Sequence, residues 1–128
     1  MDAEALELER FLAGGIAARD FPHREHVRMA HALLRRHAFD EATLRYANAL
    51  RAMARAAGRP EAFNLTVTIA FLAVIGERLA GHEQQDFTTF AAANPDLFDK
   101  GMLRRWYRPE QLASPLARRQ FLLPERSA

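Results

Sequence analysis

The sequence contains no cysteine among its 128 residues. This absence excludes disulfide bonds, thiolate metal sites and cysteine nucleophiles. It fits a reducing compartment, and we expect a cytoplasmic protein. No apolar run is long enough to span a bilayer, since the longest, at about 67–75, is interrupted by Thr68 and followed by Gly76. The acidic N-terminus also lacks the features of a signal peptide, so we expect no membrane association.

Lysine is almost absent as well. Seventeen of the 18 basic residues are arginine, and the chain has 25 alanines, a usage typical of a GC-rich bacterial genome. The formal net charge is only +2, and acidic residues interleave with the arginines in most segments. A nucleic-acid interface needs a concentrated basic stripe. We therefore expect the arginines to lie on solvated helix faces, and the sequence argues against a nucleic-acid partner.

Strand signals are missing too, because no stretch alternates apolar and polar residues between hairpin turns. Helix start and stop signals are frequent instead. They predict a single all-α domain over residues 1–128, a helical bundle with four main helices and short helices in its C-terminal third. The predicted main helices span about residues 3–14, 22–37, 41–57 and 61–80.

Several residues mark the ends of these predicted helices. Asp2 and Asp40 are expected to cap the first and third helices, and Pro60 to open the fourth. Phe39 and Leu44 stand at the positions of a hydrophobic staple around the third helix start.

The periodicity of apolar residues predicts the core of the bundle. On the third helix, Tyr46, Leu50 and Met53 share one face. We expect that face to pack against Phe71 and Ile75 of the fourth helix.

Four of the five histidines fall within one predicted helix. His23, His26 and His37 lie on its apolar side and His31 on the border, and the last two are expected to be structural. His23 and His26 are one turn apart at the N-terminus, where burial and the helix dipole favour neutral imidazole. Both are therefore candidates for general base and for ligands of a divalent metal. The alternative is that both imidazoles form hydrogen bonds within the core.

Two polar residues, Asn64 and Thr68, begin the otherwise apolar face of the predicted fourth helix. Short connections make consecutive helices antiparallel, so the second and fourth helices are parallel and their N-terminal ends lie at one level. We expect Asn64, Thr68, His23 and His26 to line one polar cavity that binds a ligand. A satisfied hydrogen-bond network that fixes helix register is the other interpretation.

Several motifs resemble those of a family of small bacterial all-helical proteins that has no established activity. The family pattern reads F-x-H-x-[DE]-H, Y-H-x-T and NPDLxDKG, and the resemblance covers about residues 10–124. It implies that the turn containing His23, Glu25 and His26 belongs with the start of the fourth helix, which adds Glu25 to the candidate ligand-binding residues. The family pattern has a histidine where this chain has Asn64. Three histidines would form an open metal site, and asparagine is a much weaker ligand.

Arginines and aromatic residues stand together near residues 104–107. Arg104 and Tyr107 are candidates for an anion or aromatic-ligand site. Alternatively, this segment anchors the C-terminal part of the chain onto the bundle.

Two classes of function follow from these residues. The first is a site for a small molecule, or weakly for a divalent metal, with a histidine as general base if the protein is an enzyme. The second is a non-enzymatic accessory module that binds a protein partner or forms a homodimer. Its anchors would be the C-terminal apolar residues Trp106, Tyr107, Phe121 and Leu122. The sequence does not decide between an enzyme and a binding protein.

Overall fold

The computed structural model describes residues 2–125, and within them it contains seven α-helices and no strand. The predicted all-α class is therefore confirmed. None of the helices in this range combines the length and hydrophobicity that a membrane span requires. The helices are α1 (Ala3–Leu12), α2 (His23–Arg36), α3 (Phe39–Ala56), α4 (Leu65–Leu79), α5 (Phe87–Ala93), α6 (Pro109–Leu112) and α7 (Pro115–Arg119). Short 3₁₀ turns lie at Ala18–Asp20, Pro60–Ala62, Pro95–Phe98 and Met102–Arg105.

The start of α4 differs from the prediction. Pro60 opens only a single 3₁₀ turn, and α4 begins at Leu65 instead of near residue 61. The reason is that the Asn64 side chain is the N-cap: its Oδ1 accepts a hydrogen bond of 3.0 Å from the Val67 backbone N–H. Asn64 therefore precedes the helix, and the predicted position on the helix face is wrong.

The predicted N-cap of α3 is also wrong, although the helix starts within two residues of the predicted position. The helix begins at Phe39 with Ala38 as N-cap, so Asp40 lies inside the first turn and does not cap it. Phe39 and Leu44 are 43% and 62% exposed, so they do not form the expected apolar staple. Asp2, by contrast, caps α1 as predicted, since its Oδ1 accepts a hydrogen bond of 2.7 Å from the Ala5 backbone N–H.

Helices α2, α3 and α4 pack against one another and form the centre of the bundle. Helix α1 lies against α2 and α3, and α7 lies against α4. Only two residues connect α2 to α3, so the chain reverses direction between them. The predicted core is confirmed for Tyr46, Met53 and Ile75, whereas Leu50 and Phe71 are only partly buried.

A cluster of aromatic rings joins α1 to the start of α2 and the middle of α3. The Phe11 ring stacks on Phe21 with a centroid distance of 5.0 Å and lies 5.6 Å from the Tyr46 ring. The Tyr46 hydroxyl donates a hydrogen bond of 3.0 Å to the backbone carbonyl of His26. This bond ties α3 to the first turn of α2 and fixes the position of His26.

The NPDL motif at residues 94–97 fastens the C-terminal third to the bundle. The Asp96 carboxylate accepts hydrogen bonds of 2.5 and 2.7 Å from Arg78 of α4 and forms an ion pair of 2.9 Å with Arg105. The hydrogen bonds from Arg78 are the largest cause that lowers the pKa of Asp96 to about 2. Leu97 is fully buried. The contacts of this motif are therefore structural.

The chain after α7 is extended and lies along the start of α4. The hydroxyl of Thr66, which is fully buried, donates a hydrogen bond of 2.7 Å to the Gln120 carbonyl and accepts one of 3.1 Å from the Leu122 N–H. The Tyr107 hydroxyl donates a hydrogen bond of 2.7 Å to the Leu122 carbonyl. We call residues 120–125 the C-terminal segment.

Replacing Asp96 with asparagine should destabilise the fold, because it removes the negative charge between two arginines. We expect a loss of about 1–2 kcal/mol in the free energy of unfolding at pH 7, a moderate value because the carboxylate is partly solvated. The folded pKa of Asp96 is about 2, below the ordinary value of 3.8. Its stabilisation is therefore present above about pH 4 and is lost as the pH falls toward 2.

Urea denaturation of wild type and Asp96→Asn at pH 7 and pH 3 measures this difference. The gap between the two proteins should be smaller at pH 3. The exposed Asp40→Asn change is the matched control and should have little effect at either pH. Equal stability of Asp96→Asn and wild type at pH 7 would show that the ion pairs contribute nothing.

Candidate functional site

A cavity of about 280 Å³ lies at the N-terminal ends of α2 and α4, beside the C-terminal half of α3. Its walls are formed by small and apolar side chains together with a few polar ones. We call it the His26 cavity; its lining residues are Ala18, His26, Leu50, Met53, Ala54, Ala57, Arg59, Ala62, Phe63, Asn64, Val67 and Thr68. The structure thus brings three of the predicted site residues together, His26, Asn64 and Thr68. It places His23 outside the lining.

Asn64 and Thr68 use their polar atoms within the protein. While Asn64 Oδ1 caps α4, its Nδ2 donates a hydrogen bond of 2.7 Å to the Leu112 carbonyl. The Thr68 hydroxyl donates a hydrogen bond of 2.7 Å to the Asn64 carbonyl. These contacts favour the structural interpretation of both residues, because the groups that would bind a ligand already have partners.

His26 lies in the first turn of α2, half-buried, with its ring 4.5 Å from the Phe21 ring. Burial is the main cause that lowers its pKa from 6.5 to about 4, and the neighbouring His23 adds to the effect. The Phe21 backbone acts in the opposite direction and is outweighed. The imidazole is therefore neutral at pH 7, with one nitrogen that donates a hydrogen bond and one that accepts.

His23 faces the C-terminal third of the chain. Its Nε2 lies 2.9 Å from the Leu97 carbonyl oxygen. Because a carbonyl oxygen only accepts, Nε2 is the donor of this hydrogen bond. The His23 and Phe71 rings pack edge to face with a centroid distance of 5.3 Å, and the centroids of the His23 and His26 rings are 6.3 Å apart. His23 thus supports the wall behind His26.

The predicted metal site at His23 and His26 lacks a third ligand among the described residues. Within residues 2–125, no group of three histidine, aspartate or glutamate side chains converges in a way that would hold a metal ion. Glu25 accepts a hydrogen bond of 2.5 Å from Arg28, which also pairs with Glu7 of α1. Glu25 is thus engaged on the side of α2 that faces α1. His23 and His26 remain as two ligands, whereas zinc sites use three or four protein ligands.

Arg104 and Tyr107 belong to a different part of the surface. Tyr107 is buried and its hydroxyl holds the C-terminal segment, which fits the anchoring interpretation. Arg104 is exposed on the 3₁₀ turn after Gly101. Neither residue lines the His26 cavity.

Two lining residues, Arg59 and Phe63, were missed by the sequence analysis. They lie in the connection between α3 and α4, which the prediction assigned in part to a helix. Gly58 has a φ of +73°, so it ends α3 in a left-handed conformation, and Asn64 begins the next helix. A glycine that ends one helix, followed six residues later by an asparagine that caps the next, was the signal from which this loop could have been predicted.

His31 also differs from expectation. It was placed on the border of the apolar face, yet it is fully buried between α2 and α5, 4.8 Å from the Phe90 ring and 5.8 Å from the Phe87 ring. Neither ring nitrogen has a hydrogen-bond partner within the described part of the chain. Burial is the main cause that lowers its pKa to about 4.

The buried histidines should make the fold sensitive to mild acid. His31 has a folded pKa of about 4 against an ordinary value of 6.5, so the unfolded chain takes up a proton first as the pH falls. Its contribution to stability is complete above about pH 6.5 and is lost between pH 6.5 and 4. The loss amounts to at most about 3 kcal/mol for a fully buried group.

Urea denaturation of wild type and His31→Leu at pH 7 and pH 4.5 tests this. Leucine cannot titrate, so the variant should lose less stability over this interval than wild type. His82→Leu, at an exposed position, serves as control and should keep the wild-type pH dependence. An unchanged pH dependence in His31→Leu would contradict the assignment.

Comparisons with known proteins do not extend this description. No family model matches the chain, and no curated protein or solved structure is significantly similar to it. The family resemblance of the motifs therefore stays a prediction, and the geometry of the site carries the functional argument.

Proposed function

We propose that this protein binds a small organic molecule in the His26 cavity. The observation that carries the proposal is a cavity with apolar walls and a neutral imidazole among its lining residues. Ligand sites typically combine such walls with a few polar groups that fix orientation. Leu50, Met53 and Val67 supply apolar surface, and His26 supplies a neutral imidazole that can hydrogen-bond to a ligand.

The size of the cavity limits the ligand. Sites for drug-sized molecules measure about 300–1,000 Å³. At about 280 Å³, the His26 cavity is slightly smaller than this range. We therefore expect a compact molecule with one or two polar groups.

The same geometry favours binding over catalysis. A general base works best when its pKa lies near the working pH, and a pKa of about 4 makes His26 a weak base at neutrality. Among the described residues no aspartate or glutamate lines the cavity, and its one hydroxyl, that of Thr68, is hydrogen-bonded to Asn64. A general-base role would require a bound substrate that raises the pKa of His26.

A second candidate function is association with a partner protein or a second copy of the chain through the C-terminal apolar residues. One observation supports it. Trp106 and Phe121 are 46% and 38% exposed. Tyr107 and Leu122, the other two expected anchors, are hydrogen-bonded to each other within the chain. Sedimentation of wild type and Trp106→Ala tests this function: a wild-type dimer that the variant dissociates would favour it.

Filling the cavity should abolish binding. We expect fragments that bind wild type to shift backbone NMR signals of Ala54, Phe63 and Val67, which line the cavity. In Leu50→Trp the larger side chain occupies the space, so these shifts should disappear. Leu44→Trp, at an exposed position of the same helix, is the matched control and should bind as wild type.

Removing the imidazole should weaken binding without unfolding the protein. His26→Leu keeps a similar volume but loses the hydrogen bonds to the ligand, and we expect an affinity about ten-fold lower, the equivalent of one hydrogen bond. The Kd values come from the same NMR titrations. The proposal fails if no fragment shifts the cavity signals, or if Leu50→Trp leaves the shifts unchanged.

A further inference from the structure

We infer that the ligand of the His26 cavity is a small carboxylate with an apolar body, its negative charge held at the cavity mouth by Arg59. This inference rests on the proposed function above and specifies its ligand class. Arg59 is the arginine among the lining residues, and His26 is the other lining residue that can carry a positive charge. No acidic side chain among the described residues lines the cavity. The cavity therefore offers apolar walls and a cation, which complement an amphipathic anion.

The backbone of Arg59 is fixed by the end of α3. Gly58 adopts its left-handed conformation directly after the helix, and the Arg59 N–H donates a hydrogen bond of 2.9 Å back to the Ala54 carbonyl. This arrangement is a common way of ending a helix and holds the following residue in place. The position of the Arg59 Cα is thus fixed by the end of α3, even though the guanidinium is solvated.

The guanidinium of Arg59 has donors available for a ligand. Its ion pair with Glu61 measures 4.0 Å, the outer limit of such a contact, and the two side chains are 75% and 62% exposed. Exposed pairs of this kind contribute little. A carboxylate of a ligand can accept two parallel hydrogen bonds from the guanidinium and displace this contact.

A second positive charge lies close to the same cavity. The Arg51 guanidinium lies over the Phe63 ring, a lining residue, at 4.6 Å. This charge favours an anion over a cation at the cavity. The Arg59 side chain is 75% exposed, whereas the lining residues Met53 and Ala54 are buried and apolar. The charged end of the ligand should therefore remain at Arg59, where water still reaches it.

Three probes with the same six-carbon chain separate these contributions: hexanoate, 1-hexanol and hexylamine. We expect hexanoate to bind at least about ten-fold more tightly than hexylamine in NMR titrations of the wild-type protein. Arg59→Gln should weaken hexanoate about ten-fold, the effect of losing a charge-assisted hydrogen bond. The same variant should leave the Kd of 1-hexanol unchanged within about two-fold, because the alcohol carries no negative charge for Arg59 to bind.

Two variants control for general effects. Arg55→Gln removes an exposed arginine of α3 that does not line the cavity, and it should bind hexanoate as wild type does. Arg59→Lys keeps the charge but loses the two parallel hydrogen bonds, so its affinity should fall between wild type and Arg59→Gln.

The outcomes distinguish this inference from the proposed function. If hexanoate, hexanol and hexylamine bind equally and Arg59→Gln changes nothing, the carboxylate inference is overturned while binding in the cavity stands. Preferred binding of hexylamine would overturn it as well. If none of the three shifts the cavity signals although other fragments do, the ligand class is wrong and the proposed function survives. Absence of any binding by probes and fragments together would remove both.

Discussion

The start of α4 is the point on which the rest of the structure depends. There the Asn64 side chain ends the connection from α3, caps α4 through Val67 and reaches across to the Leu112 carbonyl. Two residues further on, the Thr66 hydroxyl holds the C-terminal segment. Residues 64–66 therefore contribute to the wall of the His26 cavity and also hold the chain at residues 112–122.

Much of the fold was predictable because helix periodicity and end signals are local. Asp2 caps the helix that it was expected to cap, and α1, α2 and α3 begin and end within about two residues of the predicted positions. The start of α4 was not predictable in the same way. Pro60 and Asn64 can each mark the start of a helix. The contact of Asn64 with Leu112, 48 residues away, supports the start at Asn64.

The candidate site was only partly predictable. Topology places His26 level with Asn64 and Thr68, but it does not show which polar groups already have partners. The partner of His23 is the Leu97 carbonyl, 74 residues away, and no local pattern indicates it. A helical wheel likewise describes one helix at a time, so it could not reveal that α5 covers His31. Arg59 was overlooked because loop geometry decides its place.

The pairing of early and late residues has a consequence for the order in which the chain folds during synthesis. His23, Asn64 and Thr66 find their partners at Leu97, Leu112 and Gln120. Until those residues have left the ribosome, the N-terminal helices can form and collapse, but the polar groups at the starts of α2 and α4 stay without their final partners. Contacts that close such long loops form late. The emerging chain should therefore leave the starts of α2 and α4 uncovered for most of translation, the interval in which chaperones act.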